Sequence, residues 1–320
     1  MTITQLEYAV AVATYKSFIA AAEKCFVTQP TLSMQIQKLE DELGVILFDR
    51  SKHPISITEI GALVIEQARQ ALAQTSKIYE VIGQEQNQMT GMFRLAVIPT
   101  VAPYIVPQLL NRMAGKHPGL TLRLIEAETA QIIKMLQNGE LDAGLVSTPL
   151  EQLSIREYPL FYESLVGYFA PGDPALAHRE IQPKDIRIEE LLLLREGNCL
   201  RNQVLDLCSD QVEKLQQNRP YRYESGNVET LIRVVDTVGG LTVLPELATY
   251  EFSEEQKERI RYFGGEEPVR EISLVTSHYF VRNSVLQSLM DEILSLVPEK
   301  TKVKKQNRKI PRIQSAKLLQ

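Results

Sequence analysis

No stretch of the chain stays apolar for the ~18 residues that a membrane span needs, and the N-terminus lacks the charged start and small-residue cleavage site of a signal peptide. A cytoplasmic location without membrane contact is expected. Cysteine is scarce, with 3 in 320 residues. Thiols in that compartment stay reduced unless they bind metal, catalyse or sense redox change, so a structural disulfide framework is excluded. The 4 histidines, His53, His117, His178 and His278, are scattered, and neither Cys-x-x-Cys nor His-x-x-x-His spacing occurs. That excludes a zinc site, and no other metal is implied. No glycine loop of the phosphate-binding kind is present, since Gly239-Gly240 reads as a turn, and no cofactor is implied. Positive charge is lacking too: the net charge is −5, and the first 90 residues carry 7 Lys+Arg against 10 Asp+Glu. Bulk electrostatics therefore speak against a nucleic-acid partner.

What is present is the composition of an ordinary globular protein, 44% hydrophobic and 23% charged. The length allows two or three domains, because single cores stop growing near 250 to 300 residues, roughly. One segment departs from the acidic balance. From Glu299 to Gln320 there are 8 Lys+Arg and a single acid, which predicts a mobile basic tail over 301–320, either simply solvated or touching phosphates.

From Thr4 to about Val45 apolar residues recur at helical spacing in three blocks: Leu6, Val10 and Val12; Phe18, Ala21, Ala22 and Cys25; Leu32, Ile36, Leu39 and Leu43. The break before the third block carries Thr28 as an N-cap and Pro30 in the first turn, where a missing N–H costs nothing. Short helix, tight turn and amphipathic helix make a helix-turn-helix. The stretch 48–58 contains Pro54 and then alternates polar with apolar residues, as a β-hairpin wing does. From Glu59 to about Gln88, Ile60, Leu63, Val64, Ala68, Ala71, Leu72, Ile78 and Ile82 recur every three or four positions without a proline. They predict a linker helix of about eight turns whose apolar face calls for a partner helix, hence a homodimer.

After Gly91 short apolar runs alternate with helical stretches. Strands are predicted at 93–98, 120–126, 143–146, 165–170, 221–225, 241–244 and 271–276, and helices near 101–116, 129–139, 200–217, 228–238 and 283–297. Such alternation implies mostly parallel α/β sheets. The expected fold class is α plus α/β: a winged helix-turn-helix over 1–58, a linker over 59–90, and a two-lobed effector domain over 91–300. One lobe takes about 91–162 plus 269–300 and the other 163–268, with a cleft between them where ligands favour binding.

On the third helix Leu32, Ile36, Leu39 and Leu43 fall on one arc and mark the buried face, whereas Pro30, Met34, Gln37 and Lys38 lie opposite. Gln29, Thr31, Ser33 and Gln35 complete the surface that could reach base edges or phosphates, Gln being suited to adenine. The helix N-terminus offers free N–H groups to a phosphate, which offsets the weak basicity. Arg50, Ser51 and Lys52 would give the wing its backbone contacts. Pattern alone leaves open a small amphipathic helix packed on its neighbours. Residues Phe18–Gly61, with Ala21-Ala22, Val27-Thr28-Gln29-Pro30-Thr31-Leu32-Ser33, Ile36-Gln37-Lys38-Leu39-Glu40, Leu43-Gly44, Leu47-Phe48-Asp49-Arg50 and Thr58-Glu59-Ile60-Gly61, resemble the winged helix-turn-helix of LysR-type regulators almost position for position. Gly139-Glu140-Leu141-Asp142-Ala143-Gly144 and Val238-Gly239-Gly240-Leu241-Thr242-Val243-Leu244-Pro245 are similar to signatures of that family's effector domain. The resemblance implies a non-enzymatic regulator that binds promoter DNA and contacts RNA polymerase. Its effector domain would be like a periplasmic binding protein, and it would assemble as a dimer of dimers.

Within 195–208 the apolar positions Leu200, Val204, Leu205, Leu207 and Cys208 predict a helix that starts near Cys199. A thiol at a helix N-terminus with Arg201 close by should have a lowered pKa. From the residues alone, the two cysteines read first as small buried apolar groups, as Cys25 is expected to be, with a redox role as the lesser alternative. Gly197 to Cys208, however, resembles the redox loop of the OxyR peroxide sensors within the LysR family. That resemblance implies Cys199 as peroxidatic thiol, passing through a sulfenic acid, Cys208 as its resolving disulfide partner, and hydrogen peroxide as the signal. It also implies that Thr100 and Thr129 hold peroxide beside the thiol. Asn198 adjoins the same site, but stands where His is expected in that group, which leaves thiolate stabilisation to the helix terminus and Arg201. A continuous helix would hold positions 199 and 208 about 13 Å apart, whereas disulfide geometry tolerates no more than ~7 Å between Cα atoms; oxidation would have to unwind the segment. Two other readings remain: a LysR-type regulator sensing a small metabolite in the cleft, and a thiol peroxidase.

Overall fold

A computed structural model describes residues 1–51, 54–85, 89–209, 225–278, 280, 282–302 and 308–313. The chain divides into two compact units, one built on residues 1–88 and one on most of the rest.

In the first unit, α1 (Ile3–Tyr15), α2 (Phe18–Lys24) and α3 (Gln29–Leu43) are followed by a two-stranded wing, β1 (Phe48–Asp49) paired antiparallel with β2 (Ser56–Ile57), and by the long helix α4 (Glu59–Glu85). Thr28 caps α3 through its hydroxyl, which accepts from Thr31 N, and Pro30 lies in the first turn. Leu32, Ile36 and Leu39 are fully buried, with Ala9, Val12, Ala21, Leu47 and Phe48 around them. Leu43, predicted to close that face, is exposed. The position is taken instead by Glu40, 5% exposed, whose carboxylate accepts from Leu47 N at 2.7 Å, Phe48 N at 3.3 Å and Arg50 at 2.8 Å. A buried carboxylate is tolerable only with such partners, and these bind the wing to α3. Gly61, at the start of α4, has no room for a Cβ, which would lie 2.2 Å from Leu47 O. Ile65 and Ala68 of α4 are buried in this unit, while Ile60 and Leu63 are exposed. The predicted end of the linker at 86–88 and Lys52 of the wing lie outside the described residues.

The second unit begins with β3 (Gly91–Val97), α5 (Ala102–Lys116), β4 (Leu120–Glu126), α6 (Thr129–Gln137) and β5 (Ala143–Thr148). It continues through β6 (Ile155–Phe169), β7 (Glu180–Ile181), α7 (Cys199–Leu207), α8 (Val228–Val238), β8 (Leu241–Pro245), the short α9 (Glu254–Lys257), β9 (Ile260–Phe263), β10 (Glu267–Ser277), α10 (Asn283–Leu296) and β11 (Arg308–Lys309). The strands form one sheet in the order β4-β3-β5-β10-β6-β9-β7, with β8 added to β6 and β11 to β10. The expectation of mostly parallel pairing is corrected here. β3 is parallel to β4 and β5, but β10 is antiparallel to β5 and β6, and β6 is antiparallel to β8 and β9. The cause is that β6 and β10 are long enough to serve both lobes. β6 pairs with β10 through its first part and with β8 and β9 from Leu165 onward. A strand that leaves one lobe and another that returns must run in opposite directions.

The motif residues have local reasons. Asp142 accepts from the backbone N of Arg94 at 2.6 Å and from its guanidinium at 2.9 Å, fixing β3 against the entry to β5. A Cβ on Gly144 would meet Ile132 at 2.4 Å, so glycine lets α6 approach the sheet. The predicted strand at 221–225 and the helix beyond 209 fall mostly outside the described residues; Ser225 makes an isolated bridge to Leu194. The predicted mobile tail is also corrected in part, because Arg308–Lys309 adds to the sheet beside Glu267–Pro268 and Ile313 is buried; 303–307 and 314–320 are not described. Among the described residues no helix is long and apolar enough to cross a membrane.

Glu40→Ala is expected to lower the stability of the first unit by about 1–3 kcal/mol, because it strands two buried backbone donors and frees Arg50. Urea unfolding of residues 1–88 against the wild type measures it, and Glu40→Gln, which keeps an acceptor, should lose less.

Candidate functional site

A small pocket opens between the lobes of the second unit, lined by Ile98, Pro99, Glu128 and Thr129 from one lobe and Gly197, Asn198 and Cys199 from the other. It is shallow and narrow, and part of its about 190 Å³ of atom-free space is open to solvent. Cys199 is the first residue of α7. Asn198 caps that helix, its side-chain oxygen accepting from Leu200 N at 3.0 Å, a task that asparagine performs well. Thr129, 1% exposed at the start of α6, has Oγ1 only 3.0 Å from Cys199 Sγ. Gly197 adopts φ +90, and a Cβ there would meet the Glu128 carboxylate at 2.6 Å. Glu128 is itself paired with Arg195 across the lobe boundary at 2.7 Å.

The predicted lowering of the Cys199 pKa is reversed. The thiol is 4% exposed, and burial holds its pKa above the ordinary cysteine value. The Thr129 hydrogen bond is the largest opposing influence, followed by the charge of Arg270. Arg201, named from sequence as the stabilising cation, donates to Leu194 O at 2.9 Å, while the main lowering influences on the thiol are Thr129 and Arg270. Arg270 was not legible in sequence. It sits on β10, fully buried, with Nε 2.7 Å from Glu163, itself 0% exposed. Its remaining nitrogens donate to Thr100 Oγ1 at 2.8 Å and to Thr100 O at 2.9 Å. Thr100 is thus buried and does not line the pocket, although its neighbour Pro99 does. Only an arginine spaced among apolar strand residues, Val269-Arg270-Glu271-Ile272, hinted at it.

Cys208 stands at the other end of α7, at the C-cap, buried in the core of the second lobe with Leu200, Val204 and Leu231. Burial pushes its thiol up to about 11. Nine helical steps place the two residues about 13 Å apart along the axis and half a turn apart in net angle, so the two thiols face different surroundings. Cys25 packs against the core of the first unit, as expected.

Of the residues predicted to meet DNA, Gln29, Pro30, Thr31, Met34 and Lys38 are exposed along α3, and Ser33 and Gln35 are half-buried. Gln35 accepts from Gln5 at 3.2 Å, and Ser33 accepts from Arg50 at 3.3 Å. Arg50 also lies over the Phe18 ring, 5.0 Å from its centroid, so much of it is engaged inside the unit. Ser51 is exposed and hydrogen-bonded to Asp49.

Comparison with known families matches residues 3–62 to the "Bacterial regulatory helix-turn-helix protein, lysR family" and residues 86–297 to the "LysR substrate binding domain". The chain belongs to the LysR family. This LysR-family chain is 34% identical over 304 residues to the "Hydrogen peroxide-inducible genes activator" of Haemophilus influenzae, covering 94% of this chain and 98% of that protein. It is 36% identical over 249 residues to the "DNA-binding transcriptional dual regulator OxyR" of Escherichia coli K12, covering 78% and 80%. Among solved structures it is similar to a full-length Pseudomonas aeruginosa OxyR with a cysteine-to-aspartate substitution, at TM-score 0.75 and 32% identity, covering 92% and 98%. It is also similar to a Corynebacterium glutamicum OxyR mutant described as H2O2-bound, at TM-score 0.60 and 25% identity, covering 92% of each chain.

Thr129→Val should raise the Cys199 pKa further, since it removes a hydrogen bond that favours the thiolate. A charge-assisted bond of about 1.5 kcal/mol corresponds to roughly one pH unit. The pH midpoint of iodoacetamide labelling, followed with Cys25 and Cys208 changed to serine, should move up by that amount. Arg201→Ala should leave the midpoint in place.

Proposed function

We propose that this chain is a redox-responsive transcriptional regulator that binds promoter DNA and is switched by hydrogen peroxide through a reversible Cys199–Cys208 disulfide. The observation that carries the reading is Cys199 Sγ held 3.0 Å from Thr129 Oγ1 in a small pocket, on a helix whose far end is Cys208. The names of the relatives in Haemophilus and Escherichia support it.

The chemistry balances on residues of this chain. The Cys199 thiolate attacks one peroxide oxygen, the O–O bond breaks, and the departing hydroxide takes a proton to leave as water. Cys199 is then a sulfenic acid. The Cys208 sulfur attacks it, the S–S bond forms, and the sulfenic oxygen leaves as a second water. Two thiols and one peroxide become a disulfide and two waters. Thr129 and Asn198 orient the peroxide and donate to its departing oxygen. Thr100, which accepts from Arg270, fixes that cation beside the reaction. Because helix α7 separates the sulfurs, the second step requires α7 to unwind.

DNA is met by α3 and the wing, through Gln29, Pro30, Thr31, Ser33, Met34, Gln35, Lys38, Arg50, Ser51 and Lys52. A homodimer forms through α4, where Ile60 and Leu63 are exposed, and pairs again into a homotetramer that contacts RNA polymerase. The protein acts in the cytoplasm, where thiols are returned to the reduced state. It consumes one peroxide per subunit per switching event and is not an enzyme.

The decisive experiment is peptide mapping after one equivalent of peroxide, with a promoter footprint of the same sample. The expected result is a linked 199–208 pair with a footprint of altered length, and an unaltered footprint in Cys199→Ser. A linked pair with an unaltered footprint would overturn the signalling part; turnover far beyond one peroxide per subunit would make the chain a thiol peroxidase.

The raised Cys199 pKa gives a further expectation. Below that pKa the thiolate fraction, and with it the peroxide rate constant, grows nearly tenfold per pH unit. Stopped-flow rates on the reduced Cys208→Ser protein should therefore keep rising from pH 7 to pH 9, about, without a plateau. A plateau at or below neutral pH would show a thiol already ionised.

A further inference from the structure

The C-terminal segment is seated against the redox helix. Arg308 and Lys309 pair in parallel with Glu267 and Pro268 at the start of β10. The Arg308 side chain, 3% exposed, has Nε 2.9 Å from the Glu267 carboxylate. Beyond them Pro311 and Ile313 are buried while Arg312 between them is exposed, an alternation that presses one edge of the segment onto the domain. At that point the backbone N–H of Arg312 donates to Asp206 Oδ2 at 3.0 Å. Asp206 belongs to α7 and lies between the two cysteines.

We propose that residues 308–313 are a latch that holds α7 in its dithiol conformation and is released when the disulfide forms. The proposal rests on the Cys199–Cys208 reading. Bringing the ends of α7 together moves everything between them, so Asp206 cannot keep its place under Arg312 N while a 199–208 bond exists. Linkage then works in both directions: whatever the seated segment adds to the stability of the dithiol form, formation of the disulfide must overcome, and the disulfide weakens the seat by the same factor. The hydrogen bond to the Asp206 carboxylate makes that factor on the order of ten. For this two-electron couple it corresponds to ~30 mV in midpoint potential. The latch thus sets how much oxidant is needed before the switch yields. The Arg308–Glu267 pair and the strand pairing keep the segment in register.

Limited trypsin digestion of the full-length protein tests this without any substitution, since Arg308, Lys309 and Arg312 are themselves cleavage sites. In the dithiol form the paired strand should protect them; after one equivalent of hydrogen peroxide, cleavage there should accelerate at least tenfold. The 199–208 link is mapped in the same digest. A linked pair with unchanged protection at 308–312 overturns the latch and leaves the sensor reading intact, whereas no linked pair overturns both. In glutathione buffers, Asp206→Ala and a chain ending at Lys302 should each shift the thiol–disulfide equilibrium about tenfold toward the disulfide. Asp206→Asn, which keeps an acceptor, should stay near wild type. Equal midpoints for wild type, Asp206→Ala and the shortened chain would likewise overturn the proposal.

Discussion

A helix cannot be shortened without ceasing to be one, and that limit governs the regulatory unit. α7 carries one thiol at its first residue and another at its C-cap, about 13 Å apart along the axis. Its contacts reach in several directions. Cys199 meets Thr129 of the first lobe, Gln203 donates to Ser147 of β5, Arg201 holds Leu194 O, and Asp206 receives Arg312 N. All of these require α7 to be wound. Any chemistry that joins its ends therefore dissolves contacts on both lobes and on the C-terminal segment together, and a local covalent event becomes a change of state for the domain.

The electrostatics place this element in a quiet resting condition. Burial disfavours the Cys199 thiolate, and the buried cation Arg270 is already matched by Glu163. An ion pair as enclosed as Arg270–Glu163 contributes little net stability, yet losing one partner would cost about 3–5 kcal/mol. Its service is geometric. Glu163 also accepts from Leu247 N at 2.8 Å, so the guanidinium is fixed in direction and presents its other nitrogens to Thr100. The pair lies where β6 and β10 run side by side, with Arg270 opposite Glu163 in register, which ties the surroundings of the thiol to the two strands shared by both lobes.

Much of this was legible in sequence where the signal was periodic. The bounds of α3, β4, α5 and α8 follow from apolar spacing, caps and prolines, because each element buries one face against one neighbour. Cys199, Asn198 and Thr129 stand out as residues at element starts, and the structure brings them to one pocket. What the pattern did not reveal depends on contacts between distant strands. Arg270 and Glu163 are separated by 107 positions, and a charged residue inside an apolar strand does not announce its partner. The antiparallel pairing of β6 with β10 was hidden for the same reason, since strand direction is a property of the return path. The pKa of Cys199 was misjudged because proximity to a helix terminus is local, whereas burial is set by the other lobe. Leu43 falls on the apolar arc yet is exposed, and Glu40, which that arc omits, is buried because the wing folds back on α3 and needs acceptors for its backbone.

Glu40 has a mechanical meaning for the DNA-reading unit. One carboxylate clasps the backbone of Leu47 and Phe48 together with the guanidinium of Arg50, so α3 and the hairpin behave as a single solid jaw. Two such jaws brought together would then differ between states only in their separation and tilt. The sequence each jaw recognises would then be independent of how far apart two of them are held.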